Sequence, residues 1–269
     1  MRSILERESA PFDIRVPYGS DPNQIAELRF PNGKEPFPLL FVVHGGFWRS
    51  AYDLSHIGHL CAAFTSRGII TCNIEYRRIG NPGGGWPGTF QDISIATRNI
   101  LREMSKDSRF DQTRTAIIGH SAGGHLALWL AGSHRISKGS PLHNDQKQII
   151  TSAISLAGVS DLRQAWKTRL GHGTVTRLMG GTPDKHPDRY NAGSPIDLLP
   201  TGARQVLVHG ADDDTVPVSQ SEVFVQRAEK LGDRPTLVKL DGMGHYELID
   251  PESEAWPAVA RAVLSLLDQ

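Results

Sequence analysis

Short apolar runs alternate along this chain with segments in which apolar residues recur at helical spacing. Runs of four to eight apolar residues are typical of strands buried on both faces, and the three-to-four-residue spacing is typical of amphipathic helices. The predicted strands are residues 26–30, 39–43, 69–74, 115–118, 149–156, 205–209 and 235–240. The predicted helices are residues 54–67, 89–105, 126–131, 218–231 and 252–267.

Strands and helices that alternate with short connections predict an α/β fold with one mostly parallel sheet and helices on both faces. We expect residues 1–269 to form a single domain, with an irregular lead-in over residues 1–24. The alternation stops between residues 158 and 200, where helical and loop signals are mixed, and we interpret that segment as a small cap insertion. Ligands of such a fold bind beyond the carboxyl ends of the strands.

Composition excludes several classes of function. Lys plus Arg and Asp plus Glu both number 29, so the formal net charge is zero and no electrostatic footprint for nucleic acid or an anionic membrane is present. The charged N-terminus does not resemble a signal peptide, and no apolar stretch is long enough to span a bilayer. Cys61 and Cys72 lie in apolar segments, which favours buried free thiols and a cytoplasmic protein. The oligomeric state stays open.

The sequence Gly119-His120-Ser121-Ala122-Gly123 follows an apolar run and precedes a helical pattern. This G-x-S-x-G spacing between a strand and a helix is typical of a nucleophile elbow, a strained turn that exposes the serine hydroxyl above the sheet. The serine also stands at a helix N-terminus, where free N–H groups favour negative charge. The backbone N–H of Ala122, the residue after the serine, is therefore a candidate oxyanion donor.

A serine hydroxyl needs a general base that is itself oriented by a carboxylate. In a strand-turn-helix arrangement of this kind the order along the chain is serine, acid, histidine. One strand after Ser121 leads to three consecutive aspartates, Asp212, Asp213 and Asp214, and the next strand leads to His245. The three elements together predict a Ser-His-Asp triad, although the residues alone do not say which aspartate belongs to it.

The chain resembles α/β-hydrolases over roughly residues 25–269. Five segments together carry this resemblance: H-G-G-F-W, E-Y-R-R, G-H-S-A-G-G-H, H-G-A-D-D-D-T-V-P and G-M-G-H-Y-E-L. The branch they resemble holds small bacterial esterases and kynurenine-formamidase-like enzymes. The resemblance sets the acid as Asp213, four residues after His209 and three before Val216. It also implies that Gly46 and Phe47 supply oxyanion donors, although many esterases have glycine where this chain has Phe47.

Large apolar residues near these motifs are candidates for the substrate pocket. Trp48 follows the oxyanion loop, Trp166 and Met179 lie in the cap insertion, and Tyr246 follows the histidine. Other polar residues receive structural roles: His44 is expected to order its own loop, His120 and His125 to support the elbow, and Glu75 and Arg77 to form a charge pair. Asp92 is expected to make a structural hydrogen bond. His56 and His59 share a helix face, but nothing completes a metal site.

The sequence therefore predicts a serine hydrolase that cleaves a small carboxylic ester through an acyl-enzyme intermediate, with no cofactor or metal. An aryl formamidase that acts on a substrate such as N-formylkynurenine is the alternative. A ligand-binding α/β-hydrolase without activity is a more remote one, because the serine, acid and histidine are all present. The acyl-chain length and the leaving group are not specified by the sequence.

Overall fold

The computed structural model describes residues 4–33, 36–145 and 148–268. Within this part of the chain one eight-stranded sheet has the order β1-β2-β4-β3-β5-β6-β7-β8. The strands are β1 Ile14–Pro17, β2 Ile25–Arg29, β3 Phe37–Val43, β4 Ile70–Ile74, β5 Phe110–His120, β6 Ser152–Leu156, β7 Arg204–Gly210 and β8 Thr236–Leu240.

The sheet is parallel from β4 to β8, and only the edge formed by β1 and β2 is antiparallel. The longest strand, β5, pairs with β3 on one side and β6 on the other, and it ends at His120 directly before Ser121. Because the parallel strands share one direction, their carboxyl ends meet along one edge of the sheet. This architecture confirms the predicted α/β class.

Helices cover both faces of the sheet. They are α1 Gly58–Thr65, α2 Gly88–Met104, α3 Ala122–Gly132, α4 Leu162–Lys167, α5 Leu170–Met179, α6 Pro187–Gly193, α7 Ser219–Lys230 and α8 Trp256–Leu267. Alternate residues of β3 divide between two cores: Phe41 packs in the core with residues of α2 and α3, and Val42 packs in the core with residues of α1 and α8. Side chains on a strand point alternately to opposite faces, so each face of this central strand supports its own layer of helices.

Three predicted features differ in detail. The lead-in contains a strand, β1, which pairs with β2 although its own residues are mostly exposed and carry little apolar signal. The segment 158–200 holds α4, α5 and α6. Left-handed backbone occurs at Arg169, directly before α5, and at Gly171, His172 and Gly173, where it kinks α5 itself. Strand β5 begins at Phe110 rather than Thr115, because Phe110 pairs with Phe37 across a register shift.

Both cysteines are buried free thiols, as predicted. Burial raises the pKa of Cys61 to about 12 and raises that of Cys72 as well, so both remain protonated at neutral pH. They are part of the packing around β4 and α1.

Candidate active site

Ser121 lies in a strained turn between β5 and α3. Its backbone has φ 55° and ψ −117°, a conformation that side chains other than glycine rarely adopt. The flanking glycines permit the turn. A Cβ at Gly119 would lie 2.0 Å from the carbonyl oxygen of Gly123, and a Cβ at Gly123 would lie 2.0 Å from that of Val43. The predicted strand, turn and helix are therefore present, and the first helical residue is Ala122.

Asp213 and His245, which follow β7 and β8, meet beside the elbow. The Asp213 Oδ2 atom lies 2.7 Å from Nδ1 of His245, and both side chains are almost completely buried. The other carboxylate oxygen, Oδ1, accepts hydrogen bonds from the backbone N–H groups of Thr215 and Val216, both at 2.8 Å. The neighbouring aspartates, Asp212 and Asp214, are exposed. The loop thus turns one of three identical side chains inwards.

Hydrogen bonding keeps the Asp213 carboxylate ionised. Burial opposes the charge, but hydrogen bonds from His209 and His245 outweigh it and hold the pKa of Asp213 well below its ordinary value. Ser221 holds His209 in place, with its Oγ 2.7 Å from Nδ1 of His209. Nε2 of His209 lies 2.8 Å from the Val216 carbonyl oxygen and 3.4 Å from Oδ2 of Asp213. In the sequence His209 served only to set the register of the acid, and its contact with Asp213 has no local sequence signal.

The loop after β3 approaches Ser121 from the opposite side. Three consecutive residues have positive φ: Gly46 at 107°, Phe47 at 51° and Trp48 at 55°. A Cβ at Gly45 would lie 3.1 Å from Cβ of Ser121, so the glycine allows the loop backbone to pass close to the serine. Non-glycine residues with positive φ cost free energy and persist only where their surroundings enforce them.

Buried polar contacts enforce this loop conformation. His44, fully buried, lies 2.8 Å from the Gly45 carbonyl oxygen through Nδ1 and 2.8 Å from Glu75 Oε1 through Nε2, so it orders its own loop as expected. The Trp48 indole N–H donates to Nδ1 of His125 at 3.2 Å. Arg49 reaches into the segment 158–200, where it donates to the carbonyl oxygen of Gly171 at 2.5 Å.

The predicted charge pair of Glu75 and Arg77 is wrong. Arg77 forms an ion pair with Asp92 instead, with Nη2 2.7 Å from Oδ1, whereas Glu75 accepts from the backbone of Leu54 and lies 3.3 Å from Arg78. Residues 75–78 leave the strand in a turning segment, so their side chains do not follow simple alternation. Asp92 makes the structural hydrogen bonds that were expected of it.

A cavity of about 40 Å³ lies in front of Ser121. Several predicted site residues line it: Gly46, Phe47, Ser121, His245 and Tyr246. The wall is completed by Leu5, Tyr52, His56 and His120. These four residues were not predicted to line the pocket, because they lie in irregular or 3₁₀ segments or were assigned structural roles. Three predicted pocket residues, Trp48, Trp166 and Met179, do not line this cavity.

Those three aromatic and apolar residues belong to the core instead. Trp48 and Met179 are fully buried, and Trp166 is partly buried against the same apolar cluster. The left-handed conformation of Trp48 turns its indole towards His125, inside the layer of α2 and α3, while Phe47 faces the cavity. Adjacent residues of a turning loop point in different directions, so Phe47 contributes to the wall of the cavity and Trp48 does not.

Two buried histidines support the elbow. Burial lowers the pKa of His125 to about 4, and its Nε2 donates to the carbonyl oxygen of Gly193 in α6. The His120 ring packs against that of His245 with centroids 4.5 Å apart and planes inclined by 49°, and its Nε2 donates to the His245 carbonyl oxygen at 3.0 Å. Burial and the neighbouring His245 keep the pKa of His120 far below its ordinary value. Both rings are therefore neutral and hold backbone in place.

Within residues 4–33, 36–145 and 148–268 no three His, Cys, Asp or Glu side chains are grouped as metal ligands would be. Over the same ranges none of the helices combines the length and hydropathy needed to cross a bilayer.

Several curated relatives are esterases by name. The chain is 28% identical over 253 residues to the esterase LipC of Mycobacterium tuberculosis, which covers 88% of this chain and 60% of that protein. It is 26% identical over 269 residues to a probable isoprenylcysteine α-carbonyl methylesterase of Oryza sativa, which covers 94% of this chain and 63% of that protein. The chain thus spans less than two thirds of the length of these relatives.

Solved structures share the fold. A truncated carbohydrate esterase from gut microbiota superimposes with a TM-score of 0.79 at 18% identity, with both chains fully covered. The esterase Est2 of Thermogutta terrifontis superimposes with a TM-score of 0.72 at 22% identity and covers 96% of this chain and 91% of its own. These likenesses establish the α/β-hydrolase fold.

A family model named BD-FAE matches residues 28–228, which include the loop after β3, the elbow and Asp213 but not His245. This match covers well over half of the chain, and with the fold described above it places the protein: the chain belongs to the BD-FAE family of the α/β-hydrolase superfamily.

Proposed function

We propose that this chain hydrolyses small carboxylic esters through an acyl-enzyme intermediate on Ser121. One observation carries the proposal. Ser121, in a strained elbow, shares a cavity with His245, and Nδ1 of His245 lies 2.7 Å from a buried carboxylate of Asp213. Nucleophile, base and orienting acid are the components that acyl transfer requires. The esterase names of the relatives support the same chemistry.

The ionised Asp213 determines which nitrogen of His245 acts as base. Because the carboxylate only accepts hydrogen bonds, it holds the proton of His245 on Nδ1 and leaves Nε2 unprotonated. Nε2 takes the proton of the Ser121 hydroxyl as the oxygen attacks the ester carbonyl carbon. The resulting imidazolium is stabilised by the negative charge of Asp213, and it protonates the leaving alkoxide as the C–O bond breaks.

The oxyanion that forms during attack needs N–H donors already in position. The backbone N–H of Ala122 is at the first position of α3, where it has no partner within the helix. The N–H groups of Gly46 and Phe47 lie on the strained loop on the other side of the serine. We assign these three N–H groups to the oxyanion hole, and such donors stabilise the transition state without reorganising during the reaction.

Water completes the cycle. His245 Nε2 removes a proton from a water molecule, the hydroxide attacks the acyl carbon, and Ser121 leaves with the proton that His245 returns. No cofactor enters this sequence of steps. For the aryl formamidase alternative, which would use the same residues on a formamide, no contact in the site gives specific support.

The test is a comparison of wild type and Ser121→Ala on p-nitrophenyl acetate, with N-formylkynurenine measured in parallel. Because Ser121 supplies the nucleophile, we expect kcat on the ester to fall roughly 10⁵- to 10⁶-fold with the fold intact by circular dichroism. Ser66→Ala, which changes an exposed serine directly after α1, is the matched control and should retain full activity. Undiminished hydrolysis by Ser121→Ala would refute the proposal, and a strong preference for the formamide would replace the ester with the alternative substrate.

A further inference from the structure

One wall of the catalytic cavity comes from the start of the chain. Leu5 lies in a short 3₁₀ helix, Ile4–Glu6, and contributes to the lining of the cavity that contains Ser121 and His245. The rest of that lining comes from segments at the carboxyl ends of the strands, namely Gly46, Phe47, Tyr52, His56, His120, Ser121, His245 and Tyr246. The N-terminal segment therefore crosses over the site before the sheet begins.

This segment is fastened next to the catalytic histidine loop. Ile4 is buried in the apolar cluster that contains Leu248 and Ile249, shortly after His245. Arg7 binds Asp250 through two parallel hydrogen bonds, at 2.9 and 2.7 Å, with both side chains only about 15% exposed. Two-pronged pairing of arginine and carboxylate fixes orientation as well as distance. Leu5 is thus held between two anchors, one apolar and one ionic.

The cavity is small. Its volume is about 40 Å³, and a cavity must offer at least about 10–15 Å³ to hold one water molecule. The space therefore accepts only a short group beside the reacting carbonyl. Leu5 is one of the few apolar side chains in the wall, and a leucine-to-alanine change removes three carbon atoms without introducing a polar group.

We propose that Leu5 determines substrate size: it restricts one arm of the ester, acyl or alcohol, to a short chain, and the pair of Arg7 and Asp250 holds it in place. This inference rests on the ester hydrolysis proposed above. It narrows the substrate class to esters with one short arm, such as acetyl esters or esters of small alcohols. In apolar enzyme pockets a single methylene changes kcat/KM by roughly 10- to 200-fold, so the limit is measurable.

The experiment uses two series of esters on the full chain: p-nitrophenyl esters of rising acyl length, and acetate esters of rising alcohol length. The quantity compared is the ratio of kcat/KM for long and short members. Leu5→Ala should raise this ratio at least tenfold in one series, and Leu5→Trp should lower it. Leu231→Ala, at an equally exposed leucine at the end of α7, is the matched control and should leave both ratios unchanged.

Arg7→Ala tests the ion pair with Asp250 separately from the Leu5 side chain. If the ion pair holds Leu5, this variant should shift the same series in the same direction as Leu5→Ala. Ratios that match wild type in both series for Leu5→Ala and Leu5→Trp would overturn the proposal, and an unchanged ratio in Arg7→Ala alone would overturn the anchoring role. Failure of the wild type to hydrolyse any ester would instead refute the proposed function, so the two failures are distinguishable.

Discussion

The two sides of Ser121 are held by different kinds of interaction. On one side, Asp213 and His245 are fixed by hydrogen bonds between polar groups, and the pKa of Asp213 is lowered by those bonds. On the other side, Gly46, Phe47 and Trp48 hold a strained backbone that depends on anchors far away in the chain. The first side is built from side-chain chemistry and the second from backbone geometry, so they should respond differently to substitution.

The largest effect is expected on the acid side. Asp213→Asn should lower kcat on the order of 10⁴-fold, because an amide can donate to Nδ1 and thereby stabilise the wrong tautomer of His245. Asp212→Asn and Asp214→Asn are the matched controls, since both side chains are exposed. Steady-state kinetics with p-nitrophenyl acetate measures all three. If activity collapsed in either control while Asp213→Asn stayed within tenfold of wild type, the assignment of Asp213 as the partner of His245 would be wrong.

A smaller loss is expected from the oxyanion side. Gly46→Ala places a Cβ 2.5 Å from Cβ of Tyr52 at a φ of 107°, so the loop must shift and move its N–H groups. Loss of one oxyanion donor lowers kcat about 10²- to 10³-fold. Gly232→Ala is the matched control, because Gly232 has a φ of 99° but open space around its Cα. Because both positions have positive φ, stability should fall in both variants, whereas kcat should fall only in Gly46→Ala.

The smallest effect concerns the buried imidazole that supports the oxyanion loop. Burial lowers the pKa of His125 to about 4 in the folded state, against about 6.5 when unfolded. The unfolded state therefore binds more protons between these values, and stability is lost as pH falls through this window. Between pH 7 and 5 we expect His125 to account for about 2 kcal/mol of the decrease in the free energy of unfolding.

Urea denaturation at pH 7 and pH 5 measures that decrease. In His125→Asn it should be about 2 kcal/mol smaller than in wild type, because asparagine does not titrate. His143→Asn is the control: the pKa of this exposed histidine is raised by its hydrogen bonds to Ile136 and Asp145, so its removal should not reduce the acid-induced loss. Equal losses in His125→Asn and wild type would show that His125 is not held neutral by burial.

The sequence predicted the parts of the site that depend on side-chain type at fixed spacing. G-x-S-x-G, the aspartates after β7 and the histidine after β8 identified Ser121, Asp213 and His245 as candidates that the fold brings together. The buried parallel strands were also predicted, most of them within a few residues, because continuous apolar runs are a strong signal. Edge strand β1 has no such signal, because it is a strand through its pairing with β2 and not through a pattern of apolar residues.

Contacts between distant segments could not be predicted in this way. Nothing in the local sequence indicates that Leu5 reaches the catalytic cavity, or that Arg77 pairs with Asp92 rather than Glu75. The direction of Trp48 depends on three successive positive φ values, and sequence propensity does not predict such a conformation at Phe and Trp. These features are set by tertiary packing, which overrides local preference.

The nucleophile is the central claim, and a fluorophosphonate probe tests it most directly. The probe forms a covalent bond to an activated serine oxygen with loss of fluoride, and mass spectrometry of the digested protein locates the adduct. We expect one adduct per chain, on the peptide that contains Ser121, absent from Ser121→Ala and formed far more slowly in Asp213→Asn. An adduct on a different serine, or hydrolysis that continues after Ser121 has been fully modified, would contradict the assignment of Ser121.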